Sequence, residues 1–112
     1  MANPLKAEID IELDKSYKAR LTIDAIMQIE DRLGIGIIKL VNNLQTMEIR
    51  VSDIVTVLTP ALRGGGNDFQ EADVKKIVAN TGIIKSTEIM SRLLVESLAA
   101  EQEEDAVKKE EQ

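Results

Sequence analysis

Hydrophobic and polar residues alternate at the start of the chain. Leu5, Ala7, Ile9, Ile11 and Leu13 alternate with Lys6, Glu8, Asp10, Glu12 and Asp14. A period of two places one set on each face of a strand. Asp14, Lys15 and Ser16 supply turn chemistry. Tyr17, Ala19, Leu21 and Ile23 then resume the alternation against Lys18, Arg20 and Thr22. The pattern predicts a β-hairpin with one apolar face, acidic on the first strand's solvent side and basic on the second's. Opposite charges facing each other help to fix the register. A lone hairpin is marginal in water, so its apolar face needs helices to cover it.

The period then becomes helical. Thr22 is the expected N-cap of a helix carrying Ile26, Ile29 and Leu33 on one face, with Asp24 near its positive end and Gly34 closing it. A second helix is predicted over residues 36–45, burying Ile37, Leu40, Val41 and Leu44. Met47, Ile49 and Val51 read as an extended link or a short strand. Ser52 is the expected cap of a third helix bearing Ile54, Val55, Leu58, Ala61 and Leu62, which Pro60 should kink or end. Gly64, Gly65 and Gly66 stop it. Asp68 with Glu71 resembles a capping box opening a fourth helix, which buries Phe69 or Ala72, then Val74, Ile77 and Val78, and ends at Asn80-Thr81-Gly82. A last helix is predicted from near Ser86, with Ile89, Met90, Leu93, Leu94 and Leu98 on one stripe. The expected fold is α+β: an N-terminal β-hairpin packed on a bundle of four to five α-helices. The 112 residues suit one domain, residues 1–100. Residues 101–112 hold six acids and two lysines and are expected to form an acidic, frayed tail.

Composition narrows the chemistry. The chain has no Cys and no His, so thiolate metal sites, disulfides and the usual neutral-pH general base are missing. The net charge of −6, with no basic stripe, argues against nucleic acid. No segment approaches a membrane span, and no signal-peptide run follows Met1–Lys6. The expected location is therefore the cytoplasm. Gly64-Gly65-Gly66-Asn67 lacks the Lys and Ser/Thr of a phosphate loop, so a helix-to-helix connection needing positive φ is the simpler reading. Asp10, Glu12 and Asp14 lie on one strand face rather than in a calcium loop. Glu30 and Asp31 are adjacent on a helix and point about 100° apart, so they do not converge as an acid–base pair. No enzyme activity and no cofactor is expected. The aliphatic stripes are wider than a one-sided helix needs, which makes them central in the core or partly reserved for a partner. Ile37, Ile38, Val41, Leu93, Leu94 and Leu98 are the candidate protein-binding residues.

Three ordered segments resemble the small tail proteins of gene transfer agents and related prophages. They are Ala7-Glu8-Ile9-Asp10-Ile11-Glu12-Leu13 into Ala19-Arg20-Leu21-Thr22, the helix Asp24-Ala25-Ile26-Met27-Gln28-Ile29-Glu30-Asp31-Arg32-Leu33-Gly34, and Ala61-Leu62-Arg63-Gly64-Gly65-Gly66 after Arg50-Val51-Ser52-Asp53. With the last helix, the resemblance covers most of residues 5–99. It implies a tail assembly chaperone or adaptor in the bacterial host cell that binds the tape-measure protein, the tail tube protein, or both, with self-association in keeping. The alternatives are a structural tube-associated subunit of the particle, and a non-catalytic adaptor unrelated to phage. A carboxylate-dependent enzyme ranks last.

Overall fold

A computed structural model describes the backbone of residues 8–111 and the side chains of residues 8–99. Its elements run β1 (Ile9–Glu12), β2 (Ser16–Ala19), α1 (Ile23–Leu33), α2 (Ile37–Gln45), α3 (Val51–Gly64), α4 (Glu71–Thr81) and α5 (Ile83–Glu111). The fold is α+β, a hairpin followed by five helices. Leu5 and Ala7 lie outside the described residues, as do the side chains of the acidic tail.

The hairpin forms in the register the charges favour. Ile9 faces Ala19, Asp10 faces Lys18 and Ile11 faces Tyr17. Lys18 Nζ lies 3.1 Å from Asp10 Oδ1 on the solvent face. Ile11, Leu13 and Ala19 are buried on the other face. The second strand is shorter than its alternation suggests. Ile23 leaves the apolar face, opens α1 and is exposed. The turn into α1 is set by Thr22, whose Oγ1 accepts from the Ala25 N–H at 3.0 Å. At the other end Gly34 takes φ 74°, and its N–H donates to the Glu30 carbonyl. Glu30 also has a local role: its carboxylate accepts the Ile37 N–H at 2.8 Å, capping α2 from the neighbouring helix.

Four details depart from the sequence pattern. First, α3 is capped from Arg50 rather than Ser52. The Asp53 carboxylate reaches back to the Arg50 N–H at 3.0 Å, a charge-assisted bond that fixes the helix start two residues before Ser52. Second, α4 opens at Gln70 rather than Asp68, with Asp73 accepting the Gln70 N–H at 2.8 Å. Phe69 therefore precedes the helix and packs on the core, while Ala72 is exposed. Pro60 lies inside α3, which continues to Gly64 where the triglycine is expected to stop it. Loss of one backbone bond is outweighed by burial along almost the whole length of the helix. Third, Met47–Val51 forms no strand. Met47 turns the chain with φ 61°, Ile49 packs on the core, and Val51 begins α3. Fourth, the last helix starts three residues before Ser86, directly after Gly82.

Helix α3 is the axis of the domain. Ile54, Val57, Leu58, Ala61 and Leu62 are fully enclosed, and α1, α4, α5 and β2 all pack against it. Each of these Ile, Val and Leu side chains contributes roughly 1.5–3 kcal/mol relative to exposure. Helix α2 packs on α5 and α1, and β1 packs on α5.

The triglycine seats the hairpin on this axis. The Arg20 N–H donates to the Ala61 carbonyl at 2.8 Å, and Asn67 Nδ2 donates to the Lys18 and Leu62 carbonyls at 2.8 and 2.9 Å. Only Gly66 has positive φ, 100°. Gly64 and Gly65 are required for a different reason, because the backbone of β2 passes where their Cβ atoms would be. The sequence reading in terms of positive φ alone therefore accounts for one glycine of the three.

Candidate functional site

The six candidate binding residues divide by burial. Leu93 and Leu94 have no exposed surface and belong to the core. Ile37 and Val41 of α2 are half-buried and pack against that core, and Leu98 of α5 is also half-buried. Ile38 stands out, 62% exposed at the start of α2. The neighbouring helix α5 adds Val95, 46% exposed although Leu93 and Leu94 just before it are enclosed. The width of the α5 stripe is thus explained mainly by the core, and the width of the α2 stripe partly by exposure.

Other exposed aliphatic residues escaped the periodicity. Ile23 and Met27 are one turn apart on α1, so they share a face, and both are more than half exposed. Ile23 fits the preceding strand alternation as well as the helix, so periodicity alone assigns it to the strand. Ile83 and Ile84 are exposed at the start of α5, where an earlier helix start than Ser86 was the missing signal.

A cleft of about 360 Å³ opens between the ends of α1, α3 and α4, lined by Arg32, Val51, Ser52, Val55, Thr56, Glu71 and Lys75. Arg32 Nη1 lies 2.7 Å from Glu71 Oε2 across its mouth. That hydrogen bond, and the guanidinium charge, hold the Glu71 carboxyl below its ordinary range. The Thr56 hydroxyl donates to the Ser52 carbonyl at 2.7 Å. The only acid of the cleft is thus committed to an arginine, and this hydroxyl to the backbone. Among the described residues no three acidic side chains converge as a metal site, and no helix is long and apolar enough to cross a membrane.

The hairpin tip carries a second polar cluster. The Tyr17 hydroxyl donates to Asp14 Oδ1 at 2.7 Å, and Asn80 Nδ2 of α4 donates to Asp14 Oδ2 at 3.3 Å. The Tyr17 ring meets Phe69 edge to face, with centroids 5.7 Å apart. Burial, then the hydrogen bond to Asp14 and its charge, push the phenol up to about 12. Asp14 is lowered, chiefly by the Tyr17 hydroxyl. The protonated phenol therefore stabilises the fold fully below its unfolded value near 10, and that contribution is lost as pH rises towards 12. Because Tyr17 is the only tyrosine, ultraviolet titration reads it directly. Its midpoint is expected near 12 and should fall only part of the way towards 10 in Asp14→Asn, because burial, the larger cause, remains. A midpoint near 10 in the unsubstituted chain would contradict the cluster.

A sequence-family model described as "Phage tail tube protein, GTA-gp10" matches residues 6–100. The match includes the hairpin, the triglycine and every helix up to the last described side chains of α5. No curated protein and no solved structure is detectably similar.

Proposed function

The chain belongs to the phage tail tube protein, GTA-gp10 family, and from that premise we propose that it serves tail morphogenesis as an assembly chaperone or adaptor. Its client in this reading is the tape-measure protein, the tail tube protein, or both, met in the host cytoplasm while the tail polymerises. The observation that carries the reading is the exposed aliphatic surface of a mainly helical body: Ile38 on α2 and Val95 on the adjoining α5. Such side chains cover apolar client segments at little ordering cost, because the helices beneath them are already fixed by the core. The acidic balance of the chain keeps a complex of this kind dispersed. Ile37, Val41 and Leu98 border the exposed positions and would complete the contact, and repeated copies along an elongated client fit the same arrangement.

A second reading, a structural tube-associated subunit, is favoured by the family's description. Against it, the described residues offer one two-stranded sheet for ring closure. Co-expression with the tape-measure and tube proteins, followed by pull-down, tests the first reading. Capture of either partner, with the chain scarce in purified particles by mass spectrometry, is the expected result. Stoichiometric presence in particles would establish the second reading instead, and failure to capture either partner would remove the chaperone role.

A further inference from the structure

We propose that the outer edge of β1 is a docking site for an extended segment of another protein, one with Lys or Arg at every second position and aliphatic residues between them. The proposal stands on the hairpin alone and is independent of the chaperone reading.

On β2, the Lys18 carbonyl accepts from Asn67 and the Arg20 N–H donates to the Ala61 carbonyl. Both partners belong to the end of α3 and its connection, so the even-numbered residues of β2 point their backbone away from β1. Its odd-numbered residues, Tyr17 and Ala19, therefore pair with Ile11 and Ile9. Asp10 faces Lys18 and Glu12 faces Ser16. Their N–H and C=O groups consequently point outward, away from β2. Among the described residues no hydrogen bond reaches them. The two edges of the hairpin thus differ: α3 occupies one, and the other is an open row of donors and acceptors, which is what strand addition uses.

Two further features select the occupant. The side chains beside this edge are Glu8, Asp10 and Glu12, all exposed, with Asp10 at 76%. Of these, Asp10 pairs with Lys18 and Glu12 accepts from the Ser16 hydroxyl. An added strand would set its own solvent-facing residues opposite these acids, so it needs cations at alternate positions. On the other face, Ile11 is buried but Ile9 is covered only in part, which leaves room for an aliphatic neighbour. A second copy does not meet the requirement. Its β1 would oppose acid with acid, and its basic β2 already has its outer edge against α3.

The test uses the full chain and a short peptide alternating lysine and valine, with a peptide of the same composition in two blocks as control. Nuclear magnetic resonance with amide exchange should show the alternating peptide slowing exchange at Asp10 and Glu12 by about tenfold or more. The block peptide should not. Asp10→Pro removes an outward N–H without touching the ladder, a position where edge strands tolerate proline. It should abolish the protection while thermal unfolding stays nearly unchanged. The double variant Asp10→Lys with Glu12→Lys keeps the backbone and should weaken binding at least about tenfold through charge alone. The proposal is overturned if the alternating peptide fails to bind, if it binds these variants equally, if both peptides protect alike, or if the Asp10 and Glu12 amides are already protected in the free chain.

Discussion

Gly65→Ala is expected to lower the stability of the fold by about 3 kcal/mol, a loss of roughly 10 °C or more in Tm for a domain of this size. A Cβ at Gly65 would fall inside the carbonyl group of Lys18 and 2.8 Å from the Ala19 nitrogen. At Gly64 it would lie 2.5 Å from the Arg20 carbonyl oxygen. These neighbours are backbone, so no side-chain rotation relieves the overlap. Either the hairpin must withdraw from α3 or the end of α3 must unwind. Withdrawal breaks the Arg20–Ala61 and Asn67–Lys18 hydrogen bonds together. It also exposes Ala19, which is fully buried. A hairpin detached in this way has little stability of its own. The amides of β1 and β2 should therefore lose exchange protection before those of α3 and α5. Gly66→Ala provides the contrast. Its Cβ meets open space, and the cost comes from φ alone, about 1 kcal/mol. Circular dichroism melts of the three glycine variants would separate close approach from turn geometry. Equal small losses at Gly65 and Gly66 would refute the close-approach account.

This contrast also shows why parts of the fold were legible in the sequence and parts were not. Local rules predicted local features. Alternation gave the hairpin's apolar face and its opposed acidic and basic strands, with the individual Asp10–Lys18 pair set by the register, and Thr22 and Gly34 marked the two ends of α1 because capping needs only nearby backbone. The caps at Arg50 and Gln70 were displaced because an aspartate three residues downstream reaches back to the preceding N–H, and a hydroxyl or a first acid nearby in sequence competes for the same role. Pro60 carries a local intrinsic cost, whereas the burial that holds α3 together is tertiary. The demand for glycine at 64 and 65 comes from a strand more than forty residues away in the chain. No window of sequence contains both partners of that contact. The candidate binding surface suffered from the same limit: Leu93, Leu94 and Val95 are equally apolar in sequence, and only packing divides them.

That division gives the second large effect. Leu94→Ala is expected to cost about 3 kcal/mol, within the range for a fully enclosed leucine whose surroundings relax only in part. Leu93→Ala should behave alike, since neither side chain reaches solvent. Both losses would appear in denaturant unfolding as a lower midpoint with an unchanged slope. Ile38→Asp should do the opposite. Ile38 is the second residue of α2, a helix whose N-cap Gly36 offers no side-chain bond and whose first turn carries no acid. An aspartate there meets the positive end of the helix dipole but also the Glu30 carboxylate that already caps Ile37, so the two effects offset and stability should change by no more than about 0.5 kcal/mol. Capture of the tape-measure or tube protein should nevertheless fall at least about tenfold, because a charge would have to be buried where an aliphatic contact was made. The pair of results separates two kinds of failure that one variant cannot. A core leucine variant that binds poorly has lost folded protein, and its binding should recover in proportion to the folded fraction at lower temperature. An Ile38→Asp variant that binds poorly while unfolding normally has lost the surface itself. If Ile38→Asp unfolds normally and still captures its partner at full strength, α2 is not the docking surface, and Ile23 and Met27 on α1 become the next side chains to change.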